Sequence, residues 1–211
     1  MKLGFLLGYS GKHINIDINL IKHAASLGFD SVWTAEAYGS DAVTTATWVL
    51  AQTEKIRVGT AIMQMPARTP AMAAMTSMSL AQMSNDRFIV GLGASGPQVV
   101  EGWHGVPYGK PITRTREYIQ IMRAIMAREE KVSFDGKVYQ MPNKGEGTTG
   151  LGKPLKSILA ANPDIPIYTA SITPAGLRCA GEVADGVFPV WMDPDKYNIF
   201  ADDLEAGFAK A

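Results

Sequence analysis

A chain of 211 residues, 46% hydrophobic and 19% charged, has the length and composition of one folded domain, or most of one, and excludes a disordered protein. Twenty basic and twenty acidic side chains cancel, leaving no electrostatic footprint for a nucleic-acid partner. The single cysteine, Cys179, excludes an internal disulfide, and no run approaches the ~18 uncharged apolar residues of a membrane span, so a soluble, cytoplasmic protein is expected.

Strand-like and helix-like segments alternate six times. The first strand covers Leu3 to Gly8, and a helix from about Asp17 to Leu27 places Leu20, Ile21, Ala24 and Leu27 on one face before Gly28 stops it. The second pair is Ser31 to Glu36 with a helix over Ala42 to Gln52. The third strand runs from Ile56 to Met63, and Thr69-Pro70 opens its helix with an N-cap and a first-turn proline. That helix carries no charge until Asp86, which predicts cover on two sides by barrel packing and a subunit interface.

The fourth strand, Arg87 to Leu92, enters a glycine-rich loop, and the next helix shows Tyr118, Ile121, Met122, Ile125 and Met126 as a stripe at helical spacing. An insertion over 130–153 then interrupts the alternation, with a hairpin predicted over Val132 to Tyr139 that turns at Asp135-Gly136. A fifth strand (Ile165 to Ala170), a helix opened by Thr173-Pro174 and a sixth strand (Gly186 to Trp191) follow. Asp193-Pro194 opens a last helix bearing Phe200, Leu204 and Phe208, which is still amphipathic at Ala211. Cys179 lies among Leu177, Ala180 and Val183, where an inert buried thiol is expected.

Such alternation predicts an α/β fold, a parallel (β/α) barrel of the TIM type in a single domain over 1–211. Six of eight units are present, so the expectation is a C-terminally truncated barrel that self-associates, as a homodimer or otherwise, through the unpaired edges of its first and last strands.

Gly91-Leu92-Gly93-Ala94-Ser95-Gly96 is a literal GxGxxG after a strand. A dinucleotide fingerprint also needs a helix entered by the last glycine and an acidic residue about 20 positions on, at the end of the next strand. Here Pro97 follows at once, Gly102 breaks the segment, and Glu117 lies inside a helix, so a Rossmann site is rejected.

Barrel enzymes place their chemistry at the carboxyl ends of the strands, here Gly8-Tyr9, Ala35-Glu36, Ala61-Ile62, Gly93-Ala94-Ser95, Ala170-Ser171 and Trp191. Most are small, with no metal-ligand spacing and no serine–histidine–acid set, a pattern that suits a flat, wide cofactor bringing its own reactivity. Glu36, the one carboxylate among them, could orient a ring or relay a proton, or stand in a salt bridge. Trp33 is expected in packing, and His104, in the glycine loop, is a position for substrate contact.

Several segments carry a likeness that covers the whole chain: Ser31 to Tyr38, Ile56 to Ile62, Gly91 through Gly105 on to Lys110-Pro111 and Arg114 to Glu117, and Gly181 to Gly186. On these residues the chain resembles the bacterial-luciferase-like flavin and deazaflavin oxidoreductases, and within them the branch dependent on coenzyme F420. The resemblance implies a bulge with a cis non-proline peptide at Ala61-Ile62, behind the cofactor ring, and cofactor contacts at Glu36, Ala61, Ile62, Gly93, Ala94, Ser95, Gly96, Ala170 and Ser171. The acidic residue that some deazaflavin dehydrogenases carry just after strand four is replaced in this vicinity by Pro97, so no general acid is assigned. The implied activity is hydride transfer between coenzyme F420 and a small organic substrate, with no metal. The alternatives are an FMN-dependent monooxygenase on the same scaffold and a non-catalytic flavin-binding fragment.

Overall fold

The computed structural model describes residues 2–211. Its framework is β1 (Gly4–Leu6), α1 (Ile18–Ser26), β2 (Ser31–Thr34), α2 (Ala42–Gln52), β3 (Arg57–Thr60), β4 (Met63–Gln64), α3 (Pro70–Met83), β5 (Phe88–Gly93), α4 (Pro97–Gly102) and α5 (Pro111–Ala127). A two-stranded hairpin, β6 (Phe134–Asp135) with β7 (Gln140–Met141), follows, then β8 (Ile167–Ala170), α6 (Pro174–Val183), β9 (Gly186–Phe188) and α7 (Asn198–Phe208).

The main sheet is parallel throughout, in the order β1-β2-β3-β5-β8-β9, with β4 continuing β3 beyond a break and pairing β5. This is a partial TIM-type barrel whose edge strands are β1 and β9. Four helix starts are set by side chains that accept a backbone N–H of the first turn: Asp17 from Leu20, Asp41 from Thr44, Thr69 from Met72 and Thr173 from Gly176.

Strand side chains alternate between two environments. Val32, Val58, Phe88, Val90, Leu92 and Ile167 are buried in one core with Ile21, Val49, Met78 and the stripe Tyr118, Ile121, Met122, Ile125 and Met126 on α5. On the opposite face Trp33, Tyr168 and Phe188 form an aromatic triangle with ring centroids 5.0–5.7 Å apart. A Cβ on Gly59 would strike Trp33 and one on Gly186 would strike Tyr168, while one on Gly91 would first strike the Thr60 carbonyl of the neighbouring strand, with Phe188 next at 3.0 Å. The interior is therefore partly filled by rings rather than lined by glycine, alanine and serine alone, because glycine on one strand makes room for an aromatic from another.

Other local expectations are corrected in the same way. Leu20 and Leu27 are exposed, and α1 buries Ile21 and Ala24. The hairpin does not turn at Asp135-Gly136; Phe134 pairs Met141 and Asp135 pairs Gln140, so residues 136–139 form the turn. Glu117 sets that register, because its carboxylate accepts the N–H groups of Lys137 (2.7 Å), Val138 (2.9 Å) and Tyr139 (2.9 Å). Asp193-Pro194 opens a short 3-10 turn over Pro194–Lys196, and α7 begins at Asn198. That last helix lies against α6 at backbone distance, since a Cβ on Gly181 would meet the Leu204 carbonyl at 2.5 Å and one on Gly207 the Arg178 carbonyl at 2.4 Å.

Candidate functional site

Strands β2, β3–β4, β5 and β8 end side by side, and their register brings the predicted positions to one rim. Ala61 donates its N–H to the Thr34 carbonyl (2.6 Å), tying the end of β3 to the end of β2. The Ala61-Ile62 peptide is cis, as the family resemblance implies. Gln64 pairs Gly93, Leu92 pairs Thr169 and Ala170 pairs Phe188, so Gly93 stands level with Ala170 across the β5–β8 pair. Gly93 is buried against Ile62, whose Cδ1 and Cγ1 lie 2.7 Å from where a Cβ would stand. Ala61, Ile62, Ala94, Ser95, Gly96 and Ser171 are half-buried and Ala170 is exposed, none of them charged. Ser95 holds a left-handed φ of +60°, unusual for a residue with a side chain, as the chain turns out of β5 into α4.

Glu36 lies just past the end of β2 and is buried, with every acceptor direction taken. Its Oε1 accepts from Arg68 Nη1 (2.7 Å) and the Gln64 N–H (2.9 Å), and its Oε2 from Arg68 Nη2 (2.8 Å) and the Ala42 N–H (2.9 Å). The salt-bridge reading of Glu36 is the one the structure shows, and a carboxylate so committed ties the loop after β2 to the segment running from β4 into α3. Burial works against charge on Arg68, but the bonds to Glu36 outweigh it and hold the guanidinium above its ordinary range. Burial also pushes the Tyr118 phenol up, so its O–H stays a donor to the Arg68 and Thr69 carbonyls (3.2 and 3.3 Å).

Gln64, fully buried, extends this network to the loop after β5. Its Nε2 donates to the Ala37 carbonyl (2.7 Å), which turns Oε1 toward His104 Nε2 at 2.7 Å. With the amide oriented by Ala37, the histidine is the donor in that contact. His104 thus braces the site from its outer side. A cleft of about 220 Å³ opens beside the rim between the loops after β1 and β2, lined by Tyr9, Ser10, His13, Asn15, Thr34 and Ser40 among others. Ser10 and Ser40 join those loops, Oγ to Oγ at 2.7 Å.

Sequence reasoning missed Arg68 and Gln64. The available signal was isolation: Arg68 is the one charged residue between Arg57 and Asp86, and a lone cation in so apolar a run needs a buried partner. Among the described residues no cluster of three or more His, Cys, Asp or Glu could hold a metal, and no helix is long and apolar enough to cross a membrane.

A partial parallel (β/α) barrel with mostly small, uncharged residues at its strand ends defines the class of protein. The particular family follows from comparison: the luciferase-like monooxygenase model matches residues 6–211, and the chain belongs to that family. It is 45% identical, over its full length and 61% of the relative, to a putative coenzyme F420-dependent oxidoreductase of Mycobacterium tuberculosis. Two solved structures share the fold. Coenzyme F420 dependent tetrahydromethanopterin reductase from Methanopyrus kandleri superposes with a TM-score of 0.77 at 23% identity, covering 100% of this chain and 61% of the other. The oxygenating constituent of 3,6-diketocamphane monooxygenase from Pseudomonas putida, in complex with FMN, gives 0.74 at 20%, covering 100% and 63%. The chain spans about three fifths of the length of these relatives.

Proposed function

We infer that the rim forms part of the cofactor site of an F420-dependent oxidoreductase that passes a hydride between the deazaflavin and a small organic substrate. One observation carries the reading: half-buried or exposed uncharged groups of Ala61, Ile62, Ala94, Ser95, Gly96, Ala170 and Ser171 collect on one face across three neighbouring strands. The similarity to the mycobacterial relative supports the choice of cofactor.

The residues present fit a planar ring system. Ala61, Ile62 and buried Gly93 offer a close-packed support, while Ala94, Ser95, Gly96, Ala170 and Ser171 offer backbone groups and small side chains with no charge to repel a polar ring edge. A bound deazaflavin supplies two-electron hydride chemistry and activates oxygen poorly. Glu36, Arg68, Gln64 and His104 set the positions of the three loops that would hold it. The cleft between the loops after β1 and β2 adjoins Thr34 and offers Ser10, His13 and Asn15 to a small polar substrate.

Titration of the protein with each cofactor, followed by visible absorbance, tests the reading. Saturable binding of F420 with a perturbed absorption band is expected. A yellow complex with FMN and no response to F420 overturns it in favour of the luciferase-like monooxygenase alternative, which the FMN-bound neighbour makes the second reading.

A further inference from the structure

The cleft between the loops after β1 and β2 continues into a second one of about 630 Å³, and the two share Tyr9, Ser10, Gly11, Ala35 and Ser40. That volume falls within the ~300–1,000 Å³ of small-molecule sites. Tyr9 and Tyr38 stand in its wall and are exposed by 72% and 69%. Trp103, at the end of α4, lies beside Tyr38 with ring centroids 6.4 Å apart. One buried amide sets that aromatic pair. Gln64 donates to the carbonyl of Ala37, next to Tyr38, and accepts from the ring of His104, next to Trp103. Rings held in place at the mouth of a cleft form a stacking surface whose ordering cost is already met.

Charge in the cleft has one sign. No carboxylate lines either part, while Lys12 lines one and His13 the other. The nearby acid, Glu36, is committed to Arg68. Among the described residues neither Lys12 nor His13 enters an ion pair. The hydroxyls are already taken: Thr34 and Thr45 donate to the Ala42 carbonyl (2.9 and 3.1 Å), and Ser10 donates to Ser40 (2.7 Å). The Lys12 ammonium, with the His13 imidazole and the Asn15 amide, is left to meet a ligand.

We propose that the substrate is a small planar carboxylate, an aromatic or conjugated acid, whose ring lies against Tyr9 and Tyr38 and whose anion is met by Lys12. The inference rests on the reading of the rim as part of an oxidoreductase site and names the class of molecule that site takes. A flat ring offers each tyrosine the offset or edge-on contact that aromatic pairs prefer, and a saturated ring does not. One ammonium balances one carboxylate, whereas a dianion such as phosphate would keep a charge uncompensated in the cleft.

Calorimetric titration of the chain with benzoate, cyclohexanecarboxylate and benzamide at low salt tests the proposal. Benzoate is expected to bind saturably, and cyclohexanecarboxylate about 2–10-fold more weakly, the range one aromatic contact supplies. Benzamide should bind about 2–5-fold more weakly than benzoate, because Lys12 is exposed and its attraction is partly screened. Added salt should close that second gap. Lys12→Gln should weaken benzoate to the level of benzamide, and Tyr38→Leu to the level of cyclohexanecarboxylate. Far-UV circular dichroism reports whether each variant folds, and Tyr9→Leu replaces a Tyr38→Leu that does not. Equal affinity for the three probes, or benzoate affinity unchanged in the variants, overturns the proposal. Titration of the same protein with F420 separates two further failures. Benzoate failing where F420 binds overturns this inference alone, whereas no response to F420 overturns the reading beneath it and this one with it.

Discussion

Arg68 grips Glu36 with both guanidinium nitrogens, at 2.7 and 2.8 Å, across 32 residues of sequence. The pair is buried, with side-chain exposures of 17% and 7%, so its attraction is little screened and its desolvation is offset only while both partners are present. Arg68→Ala leaves the Glu36 carboxylate uncompensated and is expected to destabilise the fold by about 3–5 kcal/mol. Arg68→Lys should recover part of this, since an ammonium pairs without the two-pronged geometry. Denaturant midpoints for the two variants decide it; a loss under ~1 kcal/mol in Arg68→Ala would contradict the buried-pair account.

His104 and Gln64 form the second joint of the network, and removing the histidine orphans a buried amide oxygen. His104→Ala should cost about 1–3 kcal/mol. Hydrogen exchange should accelerate in α4 and the loop leading to it, while α5 stays protected. Cofactor affinity should fall without loss of the fold, and His104→Gln should restore part of it by offering a donor.

Glu117 makes the hairpin sensitive to acid. Burial opposes its ionisation, but the three N–H groups of Lys137, Val138 and Tyr139 outweigh that and hold the carboxyl below its ordinary value of 4.5. The folded state therefore binds this proton less tightly than the unfolded chain. The stabilisation is complete above the unfolded value and is lost as pH falls through the folded one, so hairpin protection should decline progressively below about pH 4.5. Glu117→Gln should be less stable at neutral pH by ~2 kcal/mol, since it loses the charge-assisted bonds, and should lose less on acidification. Parallel acid titrations that fail to converge at low pH would exclude Glu117 as the source.

Gly93→Ala places a methyl group 2.7 Å from Ile62 at the centre of the rim. Overpacking there should cost about 1–3 kcal/mol and weaken cofactor binding more than an alanine at exposed Gly102, where nothing stands within 4 Å. Thermal melts and the cofactor titration read the two effects separately.

What the sequence determined by itself was everything carried by local or periodic signals: six β/α units, the helix starts at Thr69-Pro70 and Thr173-Pro174, the buried stripe of α5 and the small residues at the strand ends. These depend on neighbours within a few positions, and composition and hydrophobic period encode them directly. Only the tertiary structure decided which residue answers Glu36, that Gln64 joins it to His104, that Glu117 rather than Asp135-Gly136 sets the hairpin, and that Trp33, Tyr168 and Phe188 meet inside the barrel. Those contacts join residues 20 to 155 positions apart, where spacing along the chain holds no information. The parallel pairing and curvature of the sheet bring them together, and the cost of leaving a buried charge or amide unpaired then selects the partners.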